Sequence, residues 1–112
     1  MVNGIQLIAA ERKRQMAKEG WSAKHDDGHK GGELADAAAT YAMTPLTRNY
    51  ARNATPGCGH ETYVSRRDEI WPWDEKWWKP SRRNRVLELV KAGALIAAEI
   101  DRLQRQAARS SR

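Results

Sequence analysis

Cysteine is nearly absent, and its scarcity bears on where the protein works. The 112 residues include only Cys58, so no disulfide can form within the chain. A lone cysteine is typical of proteins in a reducing compartment. The N-terminus also lacks a basic segment followed by an apolar run, which is the pattern of a secretory leader. We therefore expect a cytoplasmic protein.

Long apolar runs and phenylalanine are missing as well. No segment approaches the roughly 20 apolar residues of a membrane-spanning helix, so we expect no membrane partner. Hydrophobic residues still make up 40% of the chain and charged residues 30%, a balance typical of a globular protein. We predict one domain over residues 1–107, followed by a frayed basic tail at 108–112.

What the chain does have is a dense tryptophan segment at residues 71–80. Four of the five tryptophans lie there, interleaved with charges and with two prolines. Because the prolines exclude a continuous helix, we predict a loop with one helical turn at Asp74 to Trp78. Buried indole rings fill a core, whereas accessible ones bind cations and planar ligands. The segment therefore predicts either a core plug or a ligand pocket.

Apolar periodicity predicts an all-α fold, a small helical bundle of about three main helices with a long irregular connection. The first helix runs from about Gly4 to Glu19, begins after the N-cap Asn3 and ends at Gly20-Trp21. A stripe at helical spacing is expected to face inward. Its members are Ile5, Ile8, Ala9 and Met16.

Arg12 falls within this inward stripe, so its guanidinium must either extend to solvent or find an anionic partner. The candidates are Asp36, Asp74 and Glu88, or a bound phosphate or carboxylate.

The second helix is predicted from Glu33 to just before Thr44-Pro45, after a polar, glycine-rich loop at residues 25–32. Residues 44–69 are predicted to form a long loop or insertion, with a short strand or helical turn near Glu61 to Ser65.

The last helix is predicted to begin after the N-cap Ser81 and to bury a continuous apolar face. That face consists of Val86, Leu89, Val90, Gly93, Ile96, Ala97, Ile100 and Leu103. We expect Gly93 to allow close contact with the alanine-rich second helix. The same apolar helix makes a homo-oligomer plausible.

Basic and aromatic residues together form the first candidate site. The net charge of +6 favours anionic partners, and tryptophan faces stack on planar bases while arginine and lysine neutralise phosphate. Arg82 and Arg83 are expected in the first turn of the last helix, where free backbone N–H groups also attract anions. No stripe of basic residues runs along any predicted helix, so nucleic acid is not expected as the partner.

Two metal sites are alternatives. Glu33 and Asp36, with Glu88, resemble half of the acidic pattern of MazG-type nucleoside triphosphate pyrophosphohydrolases, which use Mg²⁺. Lys91 stands where the pattern needs another carboxylate, and lysine cannot bind a hard cation. A second candidate set consists of histidine and cysteine, the residues that commonly bind zinc, and it contains all the histidines and the cysteine of the chain. Its members are His25, His29, Cys58 and His60.

Most of the chain outside residues 44–69 resembles a family of small phage and prophage proteins. The resemblance is carried by short motifs distributed along the sequence. They are Ala10-Glu11-Arg12 with Gln15, Glu19-Gly20-Trp21, His25-Asp26-Asp27, Gly32-Glu33-Leu34-Ala35, Trp71-Pro72-Trp73, Trp77-Trp78-Lys79-Pro80 and Leu89-Val90-Lys91-Ala92-Gly93-Ala94-Leu95-Ile96.

More distantly, the order of features is similar to that of the RyR domain, the helical repeat of ryanodine receptors. The matching features are Gly20-Trp21, Asp26-Asp27, Pro72-Trp73-Asp74 and the arginine-rich turn at Arg82, Arg83 and Arg85. A tryptophan expected within the first helix is missing. The resemblance implies a sensor of nucleotide-derived signals, and a phage copy would sequester a signal of a host defence system.

These observations predict a module that binds an anionic, nucleotide-like small molecule without a cofactor. We expect Trp21, Trp73 and Trp77 or Trp78 to stack, and Asp26 or Asp74 to accept a ribose hydroxyl. The expected site residues are Arg12, Trp21, His25, Asp26, Trp71, Trp73, Asp74, Trp77, Trp78, Lys79 and Arg82. The alternatives are the Mg²⁺-dependent pyrophosphohydrolase and a phage inhibitor that binds a host protein.

Overall fold

A computed structural model describes residues 1–57 and 59–110, and this part of the chain is mostly helical. It contains six α-helices and one antiparallel sheet of two short strands. The elements in chain order are α1 Gly4–Lys18, α2 Ala23–Asp27, α3 Glu33–Ala42, α4 Pro45–Asn49, β1 Ala51–Asn53, β2 Tyr63–Ser65, α5 Arg66–Ile70, a 3₁₀ turn Glu75–Trp77 and α6 Arg85–Ser110. The expected all-α character is confirmed, but three short helices and the sheet accompany the three long helices.

Helix α1 has the predicted ends but buries a different face. Asn3 caps its N-terminus in a capping box with Gln6, and Gly20 adopts a positive φ of 71° just beyond its C-terminus. The buried residues of the helix are Glu11 and Gln15, whereas Ile5 is 80% exposed. The predicted stripe is therefore wrong for Ile5, Ala9 and Met16, which are exposed, because bonded polar side chains occupy much of the inward face. Ile8 is half-buried and packs against α6.

The core lies between α3 and α6. Leu34, Ala37 and Ala38 of α3 are almost fully buried against α6, which contributes Ala92, Leu95 and Ala98. Small side chains on both helices allow their backbones to approach closely. Four partly buried tryptophans pack around this cluster: Trp21, Trp71, Trp73 and Trp78.

The predicted buried face of α6 is a second correction. Only Val90 of that set is buried, and its large members are about half exposed: Val86, Leu89, Ile96, Ile100 and Leu103. The helix turns its small residues toward α3 instead. Gly93 contacts α1 rather than α3, because a Cβ there would lie 2.4 Å from Cδ1 of Ile8.

Helix α6 begins four residues after the predicted N-cap. Asn84 accepts a hydrogen bond from the N–H of Leu87, and Ser81 instead begins the preceding turn. Arg82 and Arg83 consequently precede the helix, so the expected anion site in its first turn is not formed by them. At the other end α6 continues through Ser110, into the segment predicted to be frayed.

Residues 44–69 are more regular than predicted. Helix α4 follows its N-cap Thr44, and the strands β1 and β2 pair in register Ala51↔Ser65 before α5. The strand at Tyr63–Ser65 lies within the predicted short element. Cys58 lies outside the described residues.

No helix in residues 1–57 or 59–110 combines the length and apolar character needed to cross a membrane.

Candidate functional site: an aromatic cavity

A cavity of about 260 Å³ lies at the tryptophan segment. Seven of its eight lining residues carry a ring, and the eighth carries a carboxylate. We call it the aromatic cavity, and its lining is Trp21, His25, His29, Tyr41, Trp71, Trp73, Asp74 and Trp77. None of these residues is arginine or lysine.

Four segments deliver these side chains. Gly20 turns the chain after α1 and places Trp21 at the rim, and α2 follows at once, capped by Ser22. His25 lies on α2, so the polar loop predicted at residues 25–32 is partly helical. His29 lies in the turn after α2, and Tyr41 comes from the buried face of α3. The segment 71–77 supplies the other four residues.

Six of the seven rings form a continuous cluster, which consists of Trp21, His25, His29, Tyr41, Trp71 and Trp73. The centroids of Trp71 and Trp73 lie 5.5 Å apart at 84°, and those of Trp71 and Tyr41 lie 5.6 Å apart at 88°. The rings of Trp21 and His25 are parallel, with centroids 6.1 Å apart. Such edge-to-face and stacked contacts hold aromatic side chains in fixed orientations. The cavity is therefore a preformed set of π faces.

Polar groups at the cavity are few and specific. Nε1 of Trp73 is buried and has no hydrogen-bond partner in the described part of the chain. Oδ1 of Asp74 accepts the N–H of Lys76 and so caps the 3₁₀ turn. Burial lowers the pKa of His29, and the neighbouring His25 lowers it further. A bound ring could therefore accept from Trp73 and donate to Asp74 or to a neutral imidazole.

A small basic recess adjoins the aromatic cavity and shares Trp21, Tyr41 and Trp77 with it. Its volume is about 40 Å³, room for roughly three water-sized groups. The other residues that line it are Glu11, Arg14, Gln15, Glu19, Lys79, Lys91 and Leu95.

The charge of the basic recess comes from its lysines. Arg14 pairs with Glu11 at 2.7 Å and with Glu19 at 3.1 Å, so these charges are mutually engaged. Nζ of Lys91 donates to the carbonyl of Lys79 at 2.9 Å and to Oγ of Ser81, and burial lowers its pKa. Lys91 and Lys79 are thus left without a carboxylate partner among the described residues.

The segment 71–80 is anchored to the core by backbone and side-chain contacts. The N–H of Lys79 donates to the hydroxyl of Tyr41 at 3.2 Å, and the indole N–H of Trp71 donates to the carbonyl of Asp74. Burial raises the pKa of the Tyr41 hydroxyl. The bond to Tyr41 holds the predicted loop against α3, and the bond from Trp71 to Asp74 fixes the backbone just before its 3₁₀ turn.

The structure divides the predicted site residues among several places. The aromatic cavity brings together Trp21, His25, Trp71, Trp73, Asp74 and Trp77. Lys79 lines the basic recess. Trp78 and Arg82 line a separate groove near α4. Arg12 and Asp26 line neither the cavity nor the recess.

Arg12 and Asp26 instead bind each other. Nη2 of Arg12 lies 2.8 Å from Oδ2 of Asp26, whose side chain is fully buried. The predicted partners Asp36, Asp74 and Glu88 were wrong, because α2 places Asp26 closer to the guanidinium. Asp26 is therefore committed to an ion pair rather than free for a ribose hydroxyl.

Among the lining residues that sequence reasoning missed, three carry groups that a ligand could contact. Tyr41 was expected only to lie within the second helix, and Lys91 was considered only as the residue that interrupts the acidic motif. His29 was considered only as a metal ligand. The available sequence signal for His29 was its spacing of four residues from His25, which is compatible with contact between the two side chains. In the structure their ring centroids lie 4.9 Å apart.

The predicted metal sets do not assemble within the described residues. Among these residues, no group of three His, Cys, Asp or Glu side chains is placed to hold a metal ion. Glu88 is buried and accepts from Arg48, Arg85 and the N–H of Ser81. Asp36 is exposed on α3. The zinc-like set includes Cys58, which lies outside the described residues.

No protein-family model matches this chain, and neither a curated protein nor a solved structure matches it. The function must therefore be inferred from the geometry and chemistry of the site.

Proposed function

We propose that the protein is a binding module for a nucleotide-like small molecule. The base would occupy the aromatic cavity, and the phosphate would approach the basic recess. The observation that carries this proposal is that seven rings line one cavity of about 260 Å³, with an unsatisfied indole N–H among them. Cavities for drug-sized ligands span about 300–1,000 Å³, so this one suits a single planar ring system.

The adjoining basic recess supports a ligand that also carries negative charge. Trp21, Tyr41 and Trp77 form part of both walls, so one molecule could contact both spaces. Lys79 and Lys91 supply the cationic groups there. Nζ of Lys79 also lies 5.9 Å from the ring centroid of Trp77. The ring that would stack on a base is therefore next to an ammonium group that would neutralise a phosphate.

The resemblance to phage proteins and to the RyR domain supports a biological role for such binding. A small protein without turnover could sequester a nucleotide-derived messenger of host defence in the host cytoplasm. The experiment on the site does not depend on that role, because it uses defined nucleotides as probes.

The proposal is tested by isothermal titration of AMP, adenosine and ribose 5-phosphate into the wild-type protein and variants. Trp77→Ala removes an accessible stacking face that is 48% exposed, so folding should be retained. We expect it to weaken AMP and adenosine about five- to 150-fold, the range for one base–aromatic stack. The exposed Tyr63→Ala is the matched control and should change neither affinity.

The phosphate subsite has its own matched pair of variants. Lys79 and Lys76 both lie over the ring of Trp77, but only Lys79 lines the basic recess. Lys79→Gln should weaken AMP while leaving adenosine unchanged, and Lys76→Gln should alter neither. The absence of heat with every nucleotide probe on a folded, monodisperse sample would remove the proposal.

An organic cation is the second candidate ligand. This candidate is supported by the charge of the aromatic cavity. Among the described residues that line the cavity, Asp74 is the only one with a carboxylate, and none is lysine or arginine. Aromatic cages with a nearby carboxylate bind quaternary ammonium groups. Asp74→Asn keeps a good capping residue while removing the charge. If choline binds and Asp74→Asn weakens it more than AMP, the cation is the better ligand.

A further inference from the structure

Trp78 contacts Trp71 of the aromatic cavity, with ring centroids 5.0 Å apart, and also lines a second depression. This depression has a volume of about 480 Å³ and is mostly polar. We call it the arginine groove because three guanidinium groups line it: Arg48, Arg67 and Arg82.

Two of the guanidiniums make cation–π contacts with the ring of Trp78. The guanidinium carbon of Arg48 lies 5.1 Å from the ring centroid, and that of Arg67 lies 5.7 Å from it. Arg48 is only 5% exposed, and its Nη2 donates to Glu88 at 3.2 Å. Its Nη1 is buried and has no hydrogen-bond partner in the described part of the chain. A buried donor without a partner is destabilising, and a bound acceptor would satisfy it.

Three guanidiniums and two carboxylates line the arginine groove. Its two carboxylates, Asp68 and Glu75, are both bound by Arg67, the latter at 2.5 Å. Arg48 is matched by Glu88 of α6. Arg82 is exposed and has no ion pair within the described residues. Arg82 is therefore the lining guanidinium without a carboxylate partner among the described residues, and Arg48 has one guanidinium nitrogen without a hydrogen-bond partner there.

We propose that the arginine groove is a second binding site, which takes a phosphate group. Its donors belong to three separated segments: α4, the residue before α5 and the turn before α6. Arg48 and Asn49 come from the first, Ser65 from the second and Arg82 from the third. A tetrahedral oxyanion can accept bonds in several directions at once, whereas a planar carboxylate matches a single guanidinium fork. The site is distinct from the nucleotide subsites, since it shares no lining residue with them.

The test is a titration of the full chain with inorganic phosphate at constant ionic strength, with sulfate and acetate in parallel. Glycerol phosphate provides a further arm that separates a phosphate ester from the free ion. Arg82→Gln removes the unpaired charge without breaking an ion pair. Arg83→Gln is the matched control. Arg83 is exposed, follows Arg82 in the sequence and does not line the groove, so this variant makes the same change of charge outside the groove.

We expect saturable phosphate binding that exceeds acetate binding and weakens about ten- to 150-fold in Arg82→Gln, the range for the loss of one charge-assisted hydrogen bond. Arg83→Gln should bind as the wild type does, and adenosine binding should be unchanged in both variants. Equal weakening in the two variants, or no saturable phosphate binding by the wild-type protein, would overturn the proposal. Tighter binding of glycerol phosphate would support it and identify the ligand as an ester.

Discussion

Asp26 joins α1 to α2 through its ion pair with Arg12. The carboxylate is fully buried, and the arginine side chain is 12% exposed with two further nitrogens buried and unpartnered. We predict that Asp26→Asn lowers the free energy of unfolding by about 3 kcal/mol, because it leaves a nearly buried guanidinium uncompensated. Urea denaturation measures this change.

The control for that prediction is Asp101→Asn on the exposed surface of α6. It makes the same chemical change and should alter the free energy of unfolding by no more than about 0.5 kcal/mol. Similar values for the two variants would show that the buried ion pair has no special role.

His29 gives the aromatic cavity a defined pH response. Burial lowers its pKa and His25 lowers it further, while Glu33 and Asp26 act in the opposite direction. Because the folded-state pKa lies below the ordinary 6.5, the unfolded chain binds the proton first as the pH falls. We predict that the free energy of unfolding decreases as the pH falls from 6.5 toward the lowered pKa of His29.

Denaturation of His29→Gln across this pH range checks the assignment. The variant should lose part of the pH dependence, whereas His60→Gln, which removes a histidine outside the cavity, should retain it. An unchanged slope in His29→Gln would assign the pH dependence to other groups.

At the scale of elements, the contact between α1 and α6 depends on Gly93. A Cβ there would lie 2.4 Å from Cδ1 and 2.7 Å from Cγ1 of Ile8. Overpacking costs about 1–3 kcal/mol, and replacing a helical glycine by alanine returns about 1 kcal/mol. We predict that Gly93→Ala destabilises the protein by up to about 2 kcal/mol by this balance.

A double-mutant cycle with Ile8→Ala isolates this contact. In the Ile8→Ala background the clash is gone, so Gly93→Ala should stabilise the helix by up to about 1 kcal/mol. Identical effects of Gly93→Ala in both backgrounds would contradict the contact.

The sequence predicted the ends of α1 and α3 well because these ends carry strong local signals. Asn3, Gly20 and the Thr44-Pro45 step all act through neighbouring backbone groups, so their effect can be read without tertiary structure. The buried faces of α1 and α6 were wrong for the opposite reason. Apolar periodicity finds the most hydrophobic stripe, but here alanines and bonded polar side chains form the contact between helices.

The candidate site was predictable only in part. The tryptophans that are neighbours in sequence could be recognised as one unit, and most of them share the cavity. The contributions of Tyr41 and Lys91 depend on how α3 and α6 pack against that segment. Arg12 was assigned to the ligand because the short helix α2, which supplies Asp26, was not predicted.

At the scale of the whole molecule, the exposed apolar stripe of α6 bears on assembly. Val86, Leu89, Ile96, Ile100 and Leu103 are each about half exposed on one helix. A contiguous apolar surface of this kind is typical of a protein–protein contact. The homo-oligomer expected from the sequence stays a prediction, and this stripe is the surface on which it would form.

Sedimentation equilibrium of the double variant Ile96→Gln and Ile100→Gln tests that prediction. The wild-type protein should sediment as an oligomer, and the double variant should shift toward the monomer. Leu46→Gln, at a position that is 86% exposed on α4, is the control and should sediment as the wild-type protein does. A monomeric wild-type protein at high concentration would contradict the prediction.

The central claim is that the aromatic cavity binds a planar, phosphate-bearing ligand, and the indole N–H of Trp73 reports on it directly. This group is buried without a partner, so a base that accepts its hydrogen bond should move its proton resonance downfield. The measurement is an ¹H–¹⁵N NMR titration with AMP, in which Trp73→Phe assigns the resonance. We predict a saturable downfield shift of the Trp73 resonance, and an unchanged Trp73 resonance at saturating AMP would contradict the account.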